Sequence, residues 1–211
     1  MAHTWLIPSA TVNGMTVRGH EISRTLSGEC DAPGTLEMYL SEMARLLMME
    51  PCTGEIRLIA GADMIFFKEW PTYCRDYMRI NGLDMCFAWD SYAPCMDFIC
   101  FVDRADTRAH LMNCAWRTFC EAQLQTPGGQ ATLTFVNNQF VNDALIKQVG
   151  FKWGCFPTDV VCNWASISQT QTLWSGQSFS LPSTTRVFHA NWTIGVENKE
   201  RLLAAASSPG R

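Results

Sequence analysis

The stretch from His189 to Lys199 contains residue types that bind metal ions and phosphate groups. His189 offers an imidazole nitrogen to a metal, Gly195 lets the backbone approach a ligand closely, and Lys199 carries a compact positive charge. A metal-bound diphosphate also needs carboxylate ligands, which this stretch lacks. The best acidic candidate is Asp63, which lies within the apolar run 56–67. Together the two stretches predict a site for a metal-bound diphosphate.

Each part of this pattern also has an ordinary structural interpretation. A single histidine at a strand end is often part of the packing, and Gly195 near a helix start is also typical of a simple turn. The combination of both stretches is more specific than either stretch alone. We therefore keep the site as a hypothesis.

Length and charge limit the class of protein. A chain of 211 residues is long enough for a single domain with a full core. The net charge is −4 and the 16 basic residues form no run, so neither nucleic acid nor an anionic membrane is an expected partner. No apolar window of about 20 residues is present, so we expect no membrane segment in this chain.

Ten cysteines are compatible with three arrangements. Most lie among aromatic and aliphatic residues, where a reduced cysteine behaves as a small apolar side chain. One or more disulfides are the second possibility. A zinc-thiolate site is the least supported, because no C-x-x-C pair occurs and the four histidines are scattered.

Apolar periodicity predicts the elements that position these residues. The first 34 residues suggest a loop and at most one short strand. Residues 165–184 suggest an irregular loop, which is either a lid over the site or a plain surface loop. The predicted helices are 35–50, 71–80, 107–122 with His110 in a structural role, 137–149 and 198–205. The predicted strands are 56–60, 64–67, 83–88, 98–102, 151–156 and 186–188.

Three segments, taken in order, resemble the GT-A nucleotide-diphospho-sugar transferases. Residues 59–71 resemble the segment around the DxD motif of that family. Residues 95–102, followed by Asn138-Gln139 and Asn142, look like its central strand and its Asp-Gln…Asn segment. His189-Ala-Asn-Trp with Gly195 and Lys199 is similar to its C-terminal metal and phosphate motif. The resemblance covers roughly residues 35–205.

This resemblance implies a fold and domain boundaries. The implied fold is α/β, a GT-A-like (Rossmann-like) mixed and mostly parallel sheet flanked by helices. The domain would span 35–205, after a weakly ordered segment 1–34 and before a flexible tail 206–211. Only 60 residues precede Gly61, where the DxD motif would begin. This is short for the family, so the pocket for the nucleotide base is expected to be truncated.

The implied function is metal-dependent glycosyl transfer. A sugar would move from a nucleotide-diphosphate donor to a hydroxyl of a glycan or glycoprotein acceptor, with Mn²⁺ or Mg²⁺ acting on the diphosphate that leaves. The resemblance implies that Asp63 and His189 hold the metal, and that the Gly195 backbone and Lys199 bind phosphate. In eukaryotes this family works in the Golgi lumen.

Four further residues belong to the implied site. Asn138 and Gln139 would orient the donor sugar or acceptor hydroxyls, although simple helix capping is an equal alternative. Asn191 and Trp192 belong to the donor side. Trp192 would stack on a sugar face unless it is a core residue. Asp90, Asp97 and Asp143 are all conceivable bases for an inverting reaction.

Three positions depart from the family pattern. Gly61 stands where the family has its first acidic residue, which leaves Asp63 alone and should weaken metal binding. Asn138 replaces an aspartate, and Asp97 replaces a small residue beside the donor pocket. These departures keep two other functions open. One is a non-catalytic GT-A-like protein that binds a glycan or a partner, and the other is a cysteine-rich structural protein.

Overall fold

The computed structural model describes residues 2–17, 55–91, 93–111, 113 and 151–208. The predicted helices 35–50 and 137–149 lie outside the described residues, as do Asn138, Gln139 and Asp143. The helices with both ends described are α1 (Ile7–Val12), α2 (Pro71–Asn81), α3 (Trp164–Ser168) and α4 (Val196–Ser207). Residues 105–111 are also helical, within the predicted helix 107–122 and two residues before it. The strands are β1 (Ile56–Ala60), β2 (Met64–Phe66), β3 (Met85–Asp90), β4 (Ala93–Val102), β5 (Trp153–Cys155), β6 (Val161–Asn163) and β7 (Val187–His189).

The strands form two sheets within the described residues. The first sheet has the order β1-β4-β3-β5, and the second has the order β2-β7-β6. In the second sheet β2 pairs antiparallel to β7, with Met64 opposite His189, whereas β6 pairs parallel to β7, with Asn163 opposite His189. The fold is therefore α/β with both parallel and antiparallel strand pairs, which confirms the predicted class and the mixed sheet.

The beginning of the chain is helical, so the prediction of a loop with at most one short strand is wrong there. One stretch of π-helix, Ala2–Leu6, continues into α1. Pro8 lies in the first turn of α1, where its missing N–H costs little.

Helix α1 protects the outer edge of β2. Ser9 Oγ accepts a hydrogen bond from Phe66 N at 3.0 Å, and Asn13 Nδ2 donates to Phe66 O at 2.9 Å. Because β2 is the edge strand of its sheet, its outward backbone groups would otherwise need water or another strand. Side chains of α1 thus take the place of a neighbouring strand.

Helix α2 confirms the prediction of a helix over 71–80. Pro71 is its first residue, and Cys74 and Met78 face the core one turn apart. The helix ends at Gly82, whose φ of 62° is the left-handed conformation common after a helix. Trp70 precedes the helix and packs edge-on against Phe98 and Phe156, with ring centroids 5.4 and 4.9 Å away.

A second apolar cluster lies between β7 and α4. Phe188 is fully buried, as are Leu202 and Leu203 on one face of α4. Helix α4 extends two residues beyond the predicted 205, because Ala206 also packs into this cluster. The cluster fixes α4 against the sheet and so positions the first turn of that helix.

Part of the predicted irregular loop 165–184 is helical. Helix α3 forms because Asn163 caps it: Asn163 Oδ1 accepts from Ser166 N, and Ser166 Oγ accepts from Asn163 N. From residue 170 onward the segment is irregular, as predicted. Trp174 anchors it, since this side chain is buried and its backbone N donates to Trp192 O at 2.7 Å. The role of a lid stays a prediction.

The chain groups into two compact units: residues 1–19, 58–100 and 154–211 form one, and residues 20–57 and 101–153 form the other. In the second unit, Asp103 accepts hydrogen bonds from Arg57 and Arg108, each at 2.9 Å. His110 is buried and stacks on Phe151 with a centroid distance of 4.4 Å, in agreement with a structural role. The domain boundaries near 35 and 205 stay a prediction.

Candidate functional site

Asp63 lies in the turn between β1 and β2. Gly61 N donates to Asp97 O at 2.8 Å, which ties the turn to β4. Asp63 O accepts from Ala190 N at 2.9 Å, so the β2–β7 pairing continues one step past the strands themselves. The backbone on both sides therefore fixes Asp63 beside the end of β7.

The structure brings together three of the predicted site residues. His189 Nε2 lies 3.3 Å from Asp63 Oδ1, and Lys199 Nζ lies 2.5 Å from Asp63 Oδ2. Asp63 and His189 are buried, whereas the Lys199 side chain retains 29% of its exposure. Each carboxylate oxygen of Asp63 thus has its own nitrogen partner. We define these three residues as the acid–imidazole–lysine cluster.

The cluster keeps its charges despite burial. Burial alone raises the pKa of Asp63, but the charges and hydrogen bonds of His189 and Lys199 together hold that pKa well below its usual range. Burial alone lowers the pKa of His189, yet the charge and hydrogen bond of Asp63, aided by Cys95, raise it well above its usual value. Cys95 Sγ lies 3.9 Å from His189 Nδ1. The directions of these shifts favour an ionised Asp63 and a protonated His189.

Asp63 and His189 are the predicted metal ligands, and in the structure they bond to each other. Neighbouring ligands of an octahedral ion lie about 3 Å apart, close to the 3.3 Å between Asp63 Oδ1 and His189 Nε2. Within the part of the chain that the structure describes, no group of three or more His, Cys, Asp or Glu side chains is arranged to hold a metal. A cation could be held by this pair only with phosphate and water ligands of its own, after the imidazole had lost its proton and Lys199 had left the carboxylate.

The first turn of α4 lies close in sequence to the cluster. Gly195 precedes the helix with φ 85° and ψ 147°, and no side chain caps the helix there. A Cβ on Gly195 would meet no atom within 4 Å. Lys199 belongs to this turn, since its backbone N donates to Gly195 O at 3.1 Å. The first turn thus combines backbone N–H groups with the Lys199 ammonium, a pairing that suits phosphate oxygens.

Asn191 and Trp192 contact an acidic residue. Asn191 Nδ2 donates to Asp90 Oδ1 at 2.9 Å, and Trp192 Nε1 donates to the same oxygen. Burial raises the pKa of Asp90, and Asp97 adds to this rise, although the two donors and the charge of His189 oppose it. Trp192 is half-buried and packs against the apolar cluster under α4, so its environment resembles that of a core residue.

Asn163 holds strand ends together, a role that the sequence reading missed. This buried side chain caps α3 and also donates from Nδ2 to Trp89 O at 3.0 Å. It lies opposite His189 in the β6–β7 register. It therefore connects the end of β3 to the sheet that carries the cluster. The only signal in the sequence was the apolar run Val160-Val161-Cys162 before Asn163, and three residues are too few to predict a strand.

The comparisons with known proteins do not identify a family. No family model matches the chain, and no curated protein shows significant similarity to it.

No helix within the described residues is long and apolar enough to cross a membrane. The cysteines that the structure describes, 74, 86, 95, 100, 155 and 162, are all free thiols.

Proposed function

We propose that this protein is a GT-A-like glycosyltransferase that moves a sugar from a nucleotide-diphosphate donor to a hydroxyl of a glycan or glycoprotein, with Mn²⁺ or Mg²⁺ as cofactor. The observation that supports it is the contact of Asp63 with both His189 and Lys199. Lys199 comes from a segment 136 positions further along the chain. Convergence of a carboxylate, an imidazole and an ammonium suits a metal-bound diphosphate.

Each residue has a defined part in this proposal. Asp63 and His189 hold the metal, which when bound acts as a Lewis acid on the diphosphate. Lys199 moves from Asp63 to the phosphate oxygens, where its charge and the N–H groups after Gly195 stabilise the leaving diphosphate. Asn138 and Gln139 remain the proposed contacts to the donor sugar or acceptor hydroxyls.

Calorimetric titration of UDP and GDP, with and without Mn²⁺, tests the proposal. We expect the natural chain to bind at least one nucleotide only when Mn²⁺ is present. Asp63→Asn should weaken this binding tenfold or more, because it removes the anionic ligand. Asp76→Asn is the matched control, since Asp76 lies on α2 and only contacts arginines at the surface. Absence of nucleotide binding under every condition would refute the proposal.

A second candidate function is a non-catalytic GT-A-like protein that binds a glycan or a partner. Lys199 already neutralises Asp63, and Gly61 supplies no second carboxylate. Release of UDP or GDP from nucleotide sugars, followed over time, separates the two candidates. Turnover that depends on Asp63 favours the enzyme, whereas nucleotide binding without turnover favours the binding protein.

Gly61→Asp would restore the carboxylate that is missing from the DxD-like segment, but it would also disturb Asp63. A Cβ on residue 61 would lie 2.9 Å from Asp63 Oδ1, so Asp63 must turn to accommodate any side chain there. A gain in Mn²⁺ affinity with activity already present in the natural chain would still support the enzyme. The outcome must be read together with the stability of the variant.

A further inference from the structure

Two pairs of residues meet beside the acid–imidazole–lysine cluster. Asp90 ends β3 and is followed by Ser91, while Asn191 and Trp192 follow β7 by one residue. Asn191 Nδ2 and Trp192 Nε1 both donate to Asp90 Oδ1. We define Asp90, Ser91, Asn191 and Trp192 as the strand-end pocket. Its Asn191 lies two residues beyond the proposed metal ligand His189.

The backbone of the strand-end pocket is strained at two positions. Ser91 has φ 55° and Trp192 has φ 58°, which is the left-handed region that side chains other than glycine rarely adopt. A bulky residue such as Trp192 occupies this region only where the surroundings enforce it. Such outliers gather at binding sites, so the strain is a first indication of a ligand.

Two buried polar atoms in the pocket lack hydrogen bonds. Neither Ser91 Oγ nor Asn191 Oδ1 has a partner among the described residues, although both atoms lie beneath the surface. Native structures rarely leave buried polar atoms unpaired, because burial without a hydrogen bond costs free energy. All four pocket residues are partly exposed, so the two atoms lie close to the surface from which a ligand would arrive.

The unpaired atoms define the chemistry of that ligand. Asn191 Oδ1 and the Asp90 carboxylate only accept hydrogen bonds, and the Ser91 hydroxyl both accepts and donates. Phosphate oxygens are also acceptors and carry negative charge, so they do not suit this pocket beside Asp90. Hydroxyl groups that donate do suit it. A sugar ring presents several such hydroxyls on neighbouring carbons.

We propose that Asp90, Ser91 and Asn191 bind hydroxyl groups of the donor's sugar ring, next to the residues that take its diphosphate. This inference rests on the proposed function. The diphosphate half of the donor would bind the acid–imidazole–lysine cluster. The sugar half would bind the strand-end pocket, which is rich in hydrogen-bond acceptors. Trp192 is then a positioning residue, whose indole N–H holds the Asp90 carboxylate in place.

The indole N–H resonance of Trp192 in a ¹⁵N-labelled sample is a local reporter of the pocket. Trp164 provides an internal control, because its indole N–H donates to Thr172 O at 2.9 Å. Trp192→Phe assigns the peak. The probes are UDP, GDP, UDP-glucose, UDP-N-acetylglucosamine, GDP-mannose, and the free sugars glucose, N-acetylglucosamine and mannose at high concentration. Sugars and nucleotide sugars should shift the Trp192 peak further than UDP or GDP does, and the Trp164 peak should not move.

Ser91→Ala separates binding from structure. Because Ser91 Oγ has no partner among the described residues, its removal should not lower the urea midpoint, whereas sugar affinity should fall about threefold to tenfold. Asp90→Asn keeps an acceptor for the two N–H donors but turns the other oxygen into a donor, and should weaken sugar binding about tenfold or more. Ser180→Ala, at an exposed serine, is the matched control and should bind as the natural chain does.

The outcomes distinguish this inference from the proposed function. If no sugar or nucleotide sugar moves the Trp192 peak more than UDP or GDP does, or if Ser91→Ala binds sugar as tightly as the natural chain, the pocket is not a sugar site. If UDP and GDP fail to bind but free sugars move the peak, the transferase proposal fails and the hydroxyl site stands. A merely structural pocket would show neither the shift nor the effect of Ser91→Ala.

Discussion

Lys199 Nζ lies 2.5 Å from Asp63 Oδ2 and occupies the carboxylate oxygen that a metal ion would otherwise approach. His189 occupies the other oxygen from 3.3 Å. The carboxylate is thus fully paired before any ligand arrives. A cation that binds here must compete with an ammonium, and a diphosphate that draws Lys199 away makes Asp63 available to the cation.

Lys199→Met should change metal and nucleotide binding in opposite directions. Without the ammonium, Asp63 Oδ2 is open, so Mn²⁺ alone should bind more tightly. UDP or GDP in the presence of Mn²⁺ should bind about tenfold more weakly, because a charged hydrogen bond to phosphate is lost. Calorimetry measures both affinities. Lys68→Met is the control, since Lys68 donates to Ser183 O at the surface. A fall in both affinities would show that Lys199 only maintains the local structure.

Asp63→Asn should destabilise the fold. The substitution leaves the His189 and Lys199 nitrogens without their counter-charge, and breaking a buried ion pair on one side costs about 3 kcal/mol or more. Urea unfolding measures the loss. Asp76→Asn should change stability by less than about 0.5 kcal/mol, because its ion pairs are exposed to solvent. Equal effects of the two substitutions would mean that Asp63 is not the electrostatic centre of the cluster.

Gly195→Ala should cost more stability than Gly82→Ala, although a Cβ has free space at both positions. Gly82 adopts the left-handed helical conformation, which alanine tolerates at a cost of about 1 kcal/mol. Gly195 combines φ 85° with ψ 147°, a region close to that reserved for glycine, where the cost is about 1 to 3 kcal/mol. Urea midpoints of the two variants compare these costs directly. A smaller loss at 195 would indicate that the first turn of α4 adjusts easily.

Ser9→Ala should expose the outer edge of β2. Phe66 N loses its acceptor, so its amide should exchange with deuterium faster, and stability should fall by about 1 to 3 kcal/mol. Thr11→Ala on the exposed side of α1 should leave that amide protected. Unchanged exchange at Phe66 in Ser9→Ala would place the protection elsewhere.

The thiols of Cys155 and Cys162 should be unreactive in the folded protein near neutral pH. Burial raises the pKa of Cys155 and Cys162 to about 11, from an ordinary value of 9.0. Between these values the unfolded thiols release protons that the folded ones retain, so the free energy of unfolding falls as pH rises from about 9 to 11. Iodoacetamide labelling near pH 8, read residue by residue by mass spectrometry, should be slow without urea and complete with it. Fast labelling of Cys155 in the folded state would contradict this.

Local patterns predicted much of the fold. Pro71 with a buried stripe predicted α2, and the apolar runs predicted β1 and β7 to within a residue. Strand β6 was missed because three apolar residues carry too little signal. Helix α1 was missed because its small and polar residues give no apolar periodicity, and it is held by contacts to β2 that lie more than 50 positions away in sequence.

The site was only partly accessible from sequence. Its residue types indicated that Asp63, His189 and Lys199 belong together, and the structure places them in contact. The direct pairing of Lys199 with Asp63 was not foreseen, because it depends on how α4 packs against the sheet. The pairing of Asp90 with Asn191 and Trp192 was also unforeseen, since it depends on two left-handed residues at separate strand ends.

Strand β7 lies between β2 and β6, and its last residue is His189. Because β7 lies between them, β2 and β6 have no partner in this sheet until β7 joins. His189 therefore reaches its position in the same step that completes the sheet. During synthesis this step waits until residue 189 has left the ribosome. The site and the second sheet are therefore completed together, and a nascent chain shortened before β7 would lose both.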